Sequence, residues 1–207
     1  MRGPPLPPNI DDLILDAADR LLARYGYRKM TIDDLAQEVG IGKGTVYLRF
    51  NSKEEIVLAT VDRIVEGVLQ QMRTIVDRHL SPAEKLRRML LLRIMHRFDR
   101  VQHYTTSISE VLRDLRSELL ERRERYFAEE AVPLAKVVKQ GQRAGVFRPG
   151  SALATARILV IATNSLLPFS LSARELGTRK QVEATAKKIT KMLLQGLKAP
   201  PDSGHGR

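Results

Sequence analysis

Residues 40–55, GIGKGTVYLRFNSKEE, set Lys43 between two glycines with Thr45 two positions on. That combination suits phosphate recognition, either of a nucleotide or of a nucleic-acid backbone. A nucleotide-cradling P-loop requires a glycine five positions before the Gly-Lys pair and a hydroxyl residue directly after the lysine. Gln37 and Gly44 stand at those places, and the preceding TIDDLAQEVG reads as a helix, not a buried strand. The nucleotide reading therefore fails. No other enzyme chemistry is visible. The chain has no cysteine, and its histidines (79, 96, 103, 205) form no i, i+4 ligand pair. No nucleophile–base pair or cofactor loop stands out. The expectation is a protein without catalytic residues, metal or cofactor.

Charge points to a polyanion partner, since the net charge is +11. Its distribution qualifies this. Residues 1–57 hold 8 Lys and Arg against 9 Asp and Glu, a net of −1, while residues 58–207 hold 27 against 15, a net of +12. Local placement must therefore carry any argument about DNA. The opening MRGPPLPPN lacks the apolar core of a signal peptide, and no segment offers about 18 uninterrupted apolar residues. With no cysteine, a reducing, cytoplasmic setting without membrane contact is expected.

Helical periodicity dominates the chain, and the expected class is all-α with about nine helices. An extended arm over 1–9 precedes a first helix, 10–25, with a stripe at Leu13, Ile14, Ala17, Ala18, Leu21, Leu22 and Tyr25. That stripe predicts a buried Tyr25. Gly26 stops the helix. Thr31 with Asp34 caps a second helix that Gly40 ends. A third spans Lys43 to Phe50, with Val46 and Phe50 inward. Ser52 and Glu55 form a capping box for a fourth, running to Leu80. Ser81, Pro82 and Glu84 start a fifth, to Val101. Further helices are expected over 104–115, 117–144 (kinked at Pro133), 152–176 (kinked at Pro168) and 179–197. A loose tail, 199–207, follows.

Residues 31–50 thus read as two short helices joined by a glycine turn, with Ala36 at the crossing and Leu35, Ile41 and Val46 as anchors: a helix-turn-helix. The block TIDDLAQEVGIGKGTVYLRFNSKEEIV resembles the DNA-binding domain of TetR-type transcriptional repressors. The resemblance is strong over residues 10–57; beyond it only helix number, helix length and the GVFR connector are similar. It implies an N-terminal DNA-binding domain, 10–57, and a ligand-binding and dimerisation domain, 58–198. It implies that Lys43, Gly44 and Thr45 open the recognition helix, that Tyr47 meets the DNA backbone or a thymine methyl, and that Thr31 and Lys53 grip phosphates. Arg49 is a further candidate contact. Gly42 departs from the family, which often has Ser or Thr there.

The later helices suggest a dimer that senses a small molecule. The eighth is apolar nearly all round between Ile158 and Ala162, and the ninth carries a stripe of Val182, Ala186, Ile189, Leu193 and Leu197. Ile158, Ile161, Ile189, Leu193 and Leu197 are the expected dimer contacts. Polar groups on apolar stretches, namely His96, His103, Tyr104, Glu110 and Asn164, with Met95 and Phe98 as apolar wall, are candidates to line a pocket for a largely apolar effector. Arginines 87, 88, 93, 97 and 100 read as a solvated face, with Arg93 and Arg97 nearest the apolar side. The expected function is a ligand-released repressor that binds an inverted-repeat operator in double-stranded DNA as a homodimer. The alternative is an architectural binder of nucleic acid without sequence preference.

Overall fold

Local capping chemistry decides where the helices begin. Thr31 and Asp34 form a reciprocal box: the Asp34 amide donates to Thr31 Oγ1 at 3.1 Å, and the Thr31 amide donates to Asp34 Oδ2 at 2.9 Å. Ser151 and Thr178 cap two later helices through their hydroxyls. At Ser52 the box is only half made. The Glu55 amide donates to Ser52 Oγ, but the Glu55 carboxylate reaches past it to the Asn51 amide. The Glu84 amide likewise donates to Ser81 Oγ.

The structure, a computed structural model, describes residues 9–102, 107–167 and 177–200. These contain nine α-helices: α1 (Ile10–Tyr25), α2 (Ile32–Val39), α3 (Lys43–Tyr47), α4 (Lys53–Val76), α5 (Pro82–Gln102), α6 (Ser107–Asp114), α7 (Arg116–Arg143), α8 (Ala152–Asn164) and α9 (Arg179–Leu197). The all-α class is as expected, and several ends are corrected. The third helix stops at Tyr47, not Phe50, and the fourth at Val76, not Leu80. The eighth ends at Asn164 instead of continuing to Leu176. Pro168 lies just ahead, and a proline disfavours helical backbone before it. The kink expected at Pro168, the arm before Asn9 and the tail after Pro200 lie outside the described residues.

The chain divides into two units. The first is Met1–Ile64 with Val101–Leu120; the second is Val65–Arg100 with Glu121–Arg207. Within the first, α1 buries Ile10, Ile14, Ala17, Ala18, Leu21 and Leu22, joined in burial by Met30, Leu35, Val46, Phe50, Leu115 and Leu119. Tyr25, expected inside, is exposed and carries Arg24 over its ring. α6 packs on α1. The Arg28 guanidinium holds Asp114 at 3.2 Å, and the Arg28 amide donates to Glu110.

The second unit has two apolar clusters. One gathers Met72, Met89, Leu90, Leu134, Val137, Phe147, Leu159 and Val160. The other joins Ile94, Phe98, Leu167, Val182 and Ala186. A Cβ on Gly141 would lie 2.0 Å from the Phe147 ring, so only glycine lets the connector fold back onto α7. That connector pairs with the end of α9, where the Arg148 amide donates to the Leu197 carbonyl at 2.9 Å.

Candidate nucleic-acid interface

The α2–α3 turn is set by backbone geometry. Gly40 adopts the left-handed conformation, φ 76°, which costs residues with a Cβ more. Its amide bonds to the Gln37 carbonyl, and that of Ile41 to the Ala36 carbonyl at 3.0 Å. This is the Schellman closure of a helix end. Gly42 then caps α3 without a side chain. Val46 and Phe50 are buried beneath α3. Lys43, Gly44, Tyr47, Leu48 and Arg49 are left outward, with Thr45 half-exposed.

Of the side chains expected at DNA, Thr31, Lys43, Arg49 and Lys53 have internal partners, whereas Tyr47 stands exposed. Lys43 Nζ lies 2.8 Å from Asp33 Oδ2, both groups in solvent; that bond raises the lysine's pKa. Arg49 holds Asp11 through both oxygens at 2.5 and 2.6 Å, which lowers the Asp11 carboxyl below its usual range. Thr31 is committed to its cap. Lys53 donates to the Tyr27 carbonyl. The Tyr27 hydroxyl donates to Glu54 at 2.9 Å; burial first, then Glu54, pushes the phenol's pKa up. Gly44 has open space where a Cβ would stand, so packing within the chain does not require glycine there. Leu48, which the sequence reading passed over, is 80 % exposed beside Tyr47. Its signal was its place off the Val46–Phe50 stripe.

Residues 14–60 match the model of the bacterial regulatory proteins of the tetR family. That stretch takes in α2 and α3 with parts of α1 and α4. The chain is 35% identical over 71 residues to the HTH-type transcriptional regulator YhgD of Bacillus subtilis, a match covering 34% of this chain and 35% of that protein. It is 28% identical over 139 residues to the HTH-type transcriptional repressor KstR2 of Mycobacterium tuberculosis, covering 66% of this chain and 68% of the repressor. The chain thus spans about a third of the first of these curated relatives. Among solved structures, a transcriptional regulator from Cytophaga hutchinsonii aligns with a TM-score of 0.78 at 21% identity, over 92% of this chain and 100% of that one. The two chains therefore share a fold over residues of both units.

The residues expected to line an effector pocket are divided between the two units. Glu110 belongs to the first unit, where it accepts the Arg28 amide. Met95 and Phe98 pack in the second apolar cluster. His96 is half-buried on α5, with Nδ1 3.5 Å from Gln71 Nε2; burial, then Arg100 and Arg97, lower its pKa, so it is neutral at pH 7. Asn164 is half-buried at the last position of α8. His103 and Tyr104 lie outside the described residues.

The arginine face needs correction. Arg93 and Arg97 are not solvated: they are 0% and 3% exposed and flank the buried Glu130 of α7. Arg93 Nε donates to Glu130 at 2.9 Å and Nη1 to the Val160 carbonyl and Thr163. Arg97 Nη2 bonds the other Glu130 oxygen. Of the expected dimer contacts, Ile158 and Ile161 are 62% and 63% exposed on α8, and Met192 of α9 adds to the outward apolar surface. Ile189 is half-buried, and Leu193 and Leu197 lean on the first apolar cluster of their own chain.

Proposed function

We propose that this chain is a TetR-family transcriptional repressor that reads an inverted-repeat operator as a homodimer and is released by a small, largely apolar molecule. One observation carries the DNA reading: α3 is anchored from beneath by Val46 and presents Lys43, Gly44, Tyr47 and Leu48 outward. A helix so presented can enter a major groove, where lysine meets base edges and apolar groups meet the thymine methyl. Thr31 and Lys53 flank it for phosphate contact, Thr45 extends the reading face, and Arg49 can exchange Asp11 for a phosphate. KstR2, named a repressor, supports the direction of control.

The outward Ile158, Ile161 and Met192 support the dimer, because large apolar side chains left in solvent on α8 and α9 are what an interface would cover. Effector release is the reading of the second unit, into which α4 runs unbroken from Lys53 to Val76. An effector acts only by favouring one state over another. The +12 carried by residues 58–207 favours one competing reading, an architectural binder. Fluorescence anisotropy across a salt series separates them. The operator reading expects at least about a thousandfold preference for an inverted repeat beside the protein's own coding region over random DNA. Equal affinity for both would leave the architectural reading.

A further inference from the structure

We infer that Arg97 is the anchor for a carboxylate on an otherwise apolar effector of the second unit; this rests on the effector reading above. The cluster around it holds two guanidiniums and one carboxylate, all buried. Arginine stays protonated in proteins. Burial alone would raise the Glu130 carboxyl, but Arg93 and Arg97 outweigh it and hold Glu130 below its ordinary value, so it is ionised. Among the described residues this cluster therefore carries one uncompensated positive charge. Two acids close in sequence are engaged at the surface: Asp99 with Arg179, Glu129 with Arg125.

Hydrogen bonding singles out one of the two arginines. Arg93 is tied to Glu130, the Val160 carbonyl and Thr163, and Thr163 passes its own proton to the Leu159 carbonyl; only its Nη2 makes no hydrogen bond, and that atom lies 2.8 Å from Glu130 Oε2 as an ion pair. Arg97 gives only Nη2 to Glu130. Its Nε and Nη1 have no partner among the described residues, although the side chain is 3% exposed. Buried charged donors left unmade are among the more costly features of a protein interior. A ligand oxygen at Nη1 or Nε removes that cost and the charge together. One missing negative charge matches a carboxylate better than a dianionic phosphate. On the same stretch of α5, Ile94 and Phe98 pack with Leu167, Val182 and Ala186, a closed apolar cluster that the apolar body would have to part.

The test uses the full chain and straight-chain alkanoates of eight to sixteen carbons, each paired with its primary amide, in thermal-shift and calorimetric titrations. At least one alkanoate should bind about tenfold or more tightly than its amide, as a charge-assisted hydrogen bond implies. Arg97→Met should reduce that ratio to near one and leave the unliganded melting temperature unchanged or higher, because it removes an uncompensated buried charge. Arg97→Gln serves the same comparison should the first variant misfold. Arg87→Met, at the exposed start of α5, should keep the preference. Acids and amides binding alike, or a preference that survives both Arg97 variants, would overturn the assignment. Amides binding while acids do not would leave the effector reading standing without the anion. If neither series binds, the effector reading falls and the assignment falls with it.

Discussion

Lys53 and Tyr27 hold each other at two points: Lys53 Nζ donates to the Tyr27 carbonyl at 3.1 Å and stands 4.4 Å from the centre of its ring. A lysine at the first position of α4 opposes the helix dipole. The carbonyl and the aromatic face offset that. Lys53→Ala should therefore lower stability by about 1 kcal/mol. It should also weaken operator and random DNA alike and reduce the salt slope by about one unit. Urea unfolding and anisotropy on the same variant check both. A stability loss with an unchanged slope would make the lysine structural alone.

Lys43 should act on sequence preference. Lys43→Ala is expected to cost about 1–3 kcal/mol, mainly on the preferred site. Asp33→Asn offers the reverse change. The pair it breaks is exposed to solvent, so the fold should lose little with it. Freed from Asp33, Lys43 should bind DNA more tightly. Weaker binding by Asp33→Asn would contradict this account.

Gly44→Ala separates stability from recognition. A methyl group there meets no atom within 4 Å, so the fold should gain about 0.5 kcal/mol of helix stability. If the backbone of α3 approaches DNA closely, the same variant should bind the operator less well. Unaltered affinity would show that the glycine is not needed at the interface.

Acid should weaken the second unit through two carboxylates. Arg87 and Arg88 lower Glu84 from 4.5 to about 2, and Glu130 is held low by Arg93 and Arg97 against its burial. A depressed folded-state pKa contributes stability above the unfolded value and loses it as pH falls through the folded one. Glu84→Gln should thus reduce stability at pH 7 and flatten the decline between pH 4.5 and about 2. Glu130→Gln should lower stability far more, by about 3–5 kcal/mol, since two buried guanidiniums lose their partner. Denaturant titrations at pH 7 and pH 3 measure both.

Ile158→Glu with Ile161→Glu should split the proposed dimer. Both side chains already face solvent in the single chain, so a folded monomer should remain. Burying the new carboxylates in an interface would be unfavourable. Sedimentation of an unchanged dimer with native circular dichroism would exclude this face. Substitutions at Leu193 would be less informative, because that residue also packs in its own core.

Helix starts and the α2–α3 turn were legible because their causes are local: Thr31 with Asp34, Gly40, and the Val46–Phe50 spacing lie within a few residues of their effects. Arg93 and Arg97 were misread because periodicity counts arginine as polar wherever it stands. They are one turn apart and fall in register with Met89, Leu90 and Ile94, and Glu130 sits in an apolar run of α7. Only the fold brings Glu130, 37 positions away, against Arg93. Arg28 with Asp114 is the same kind of relation, across 86 positions. Tyr25 follows the α1 stripe, yet the chain turns away at Gly26 and leaves it outside.

The clasp of Arg28 on Glu110 and Asp114 also bears on synthesis. The unit that carries α3 is not finished when its first 64 residues have been made. It still lacks α6 and the buried Leu115 and Leu119. Such sequence-distant contacts raise contact order and slow folding. At about 5–20 residues per second, the nascent helix-turn-helix waits several seconds for its last wall. During that interval α1 lacks the α6 that packs on it, and a chaperone that binds apolar segments has its opening there. A fragment ending near residue 64 should accordingly be a poor substitute for the native unit, and a fusion linking 9–64 directly to 107–120 a better one.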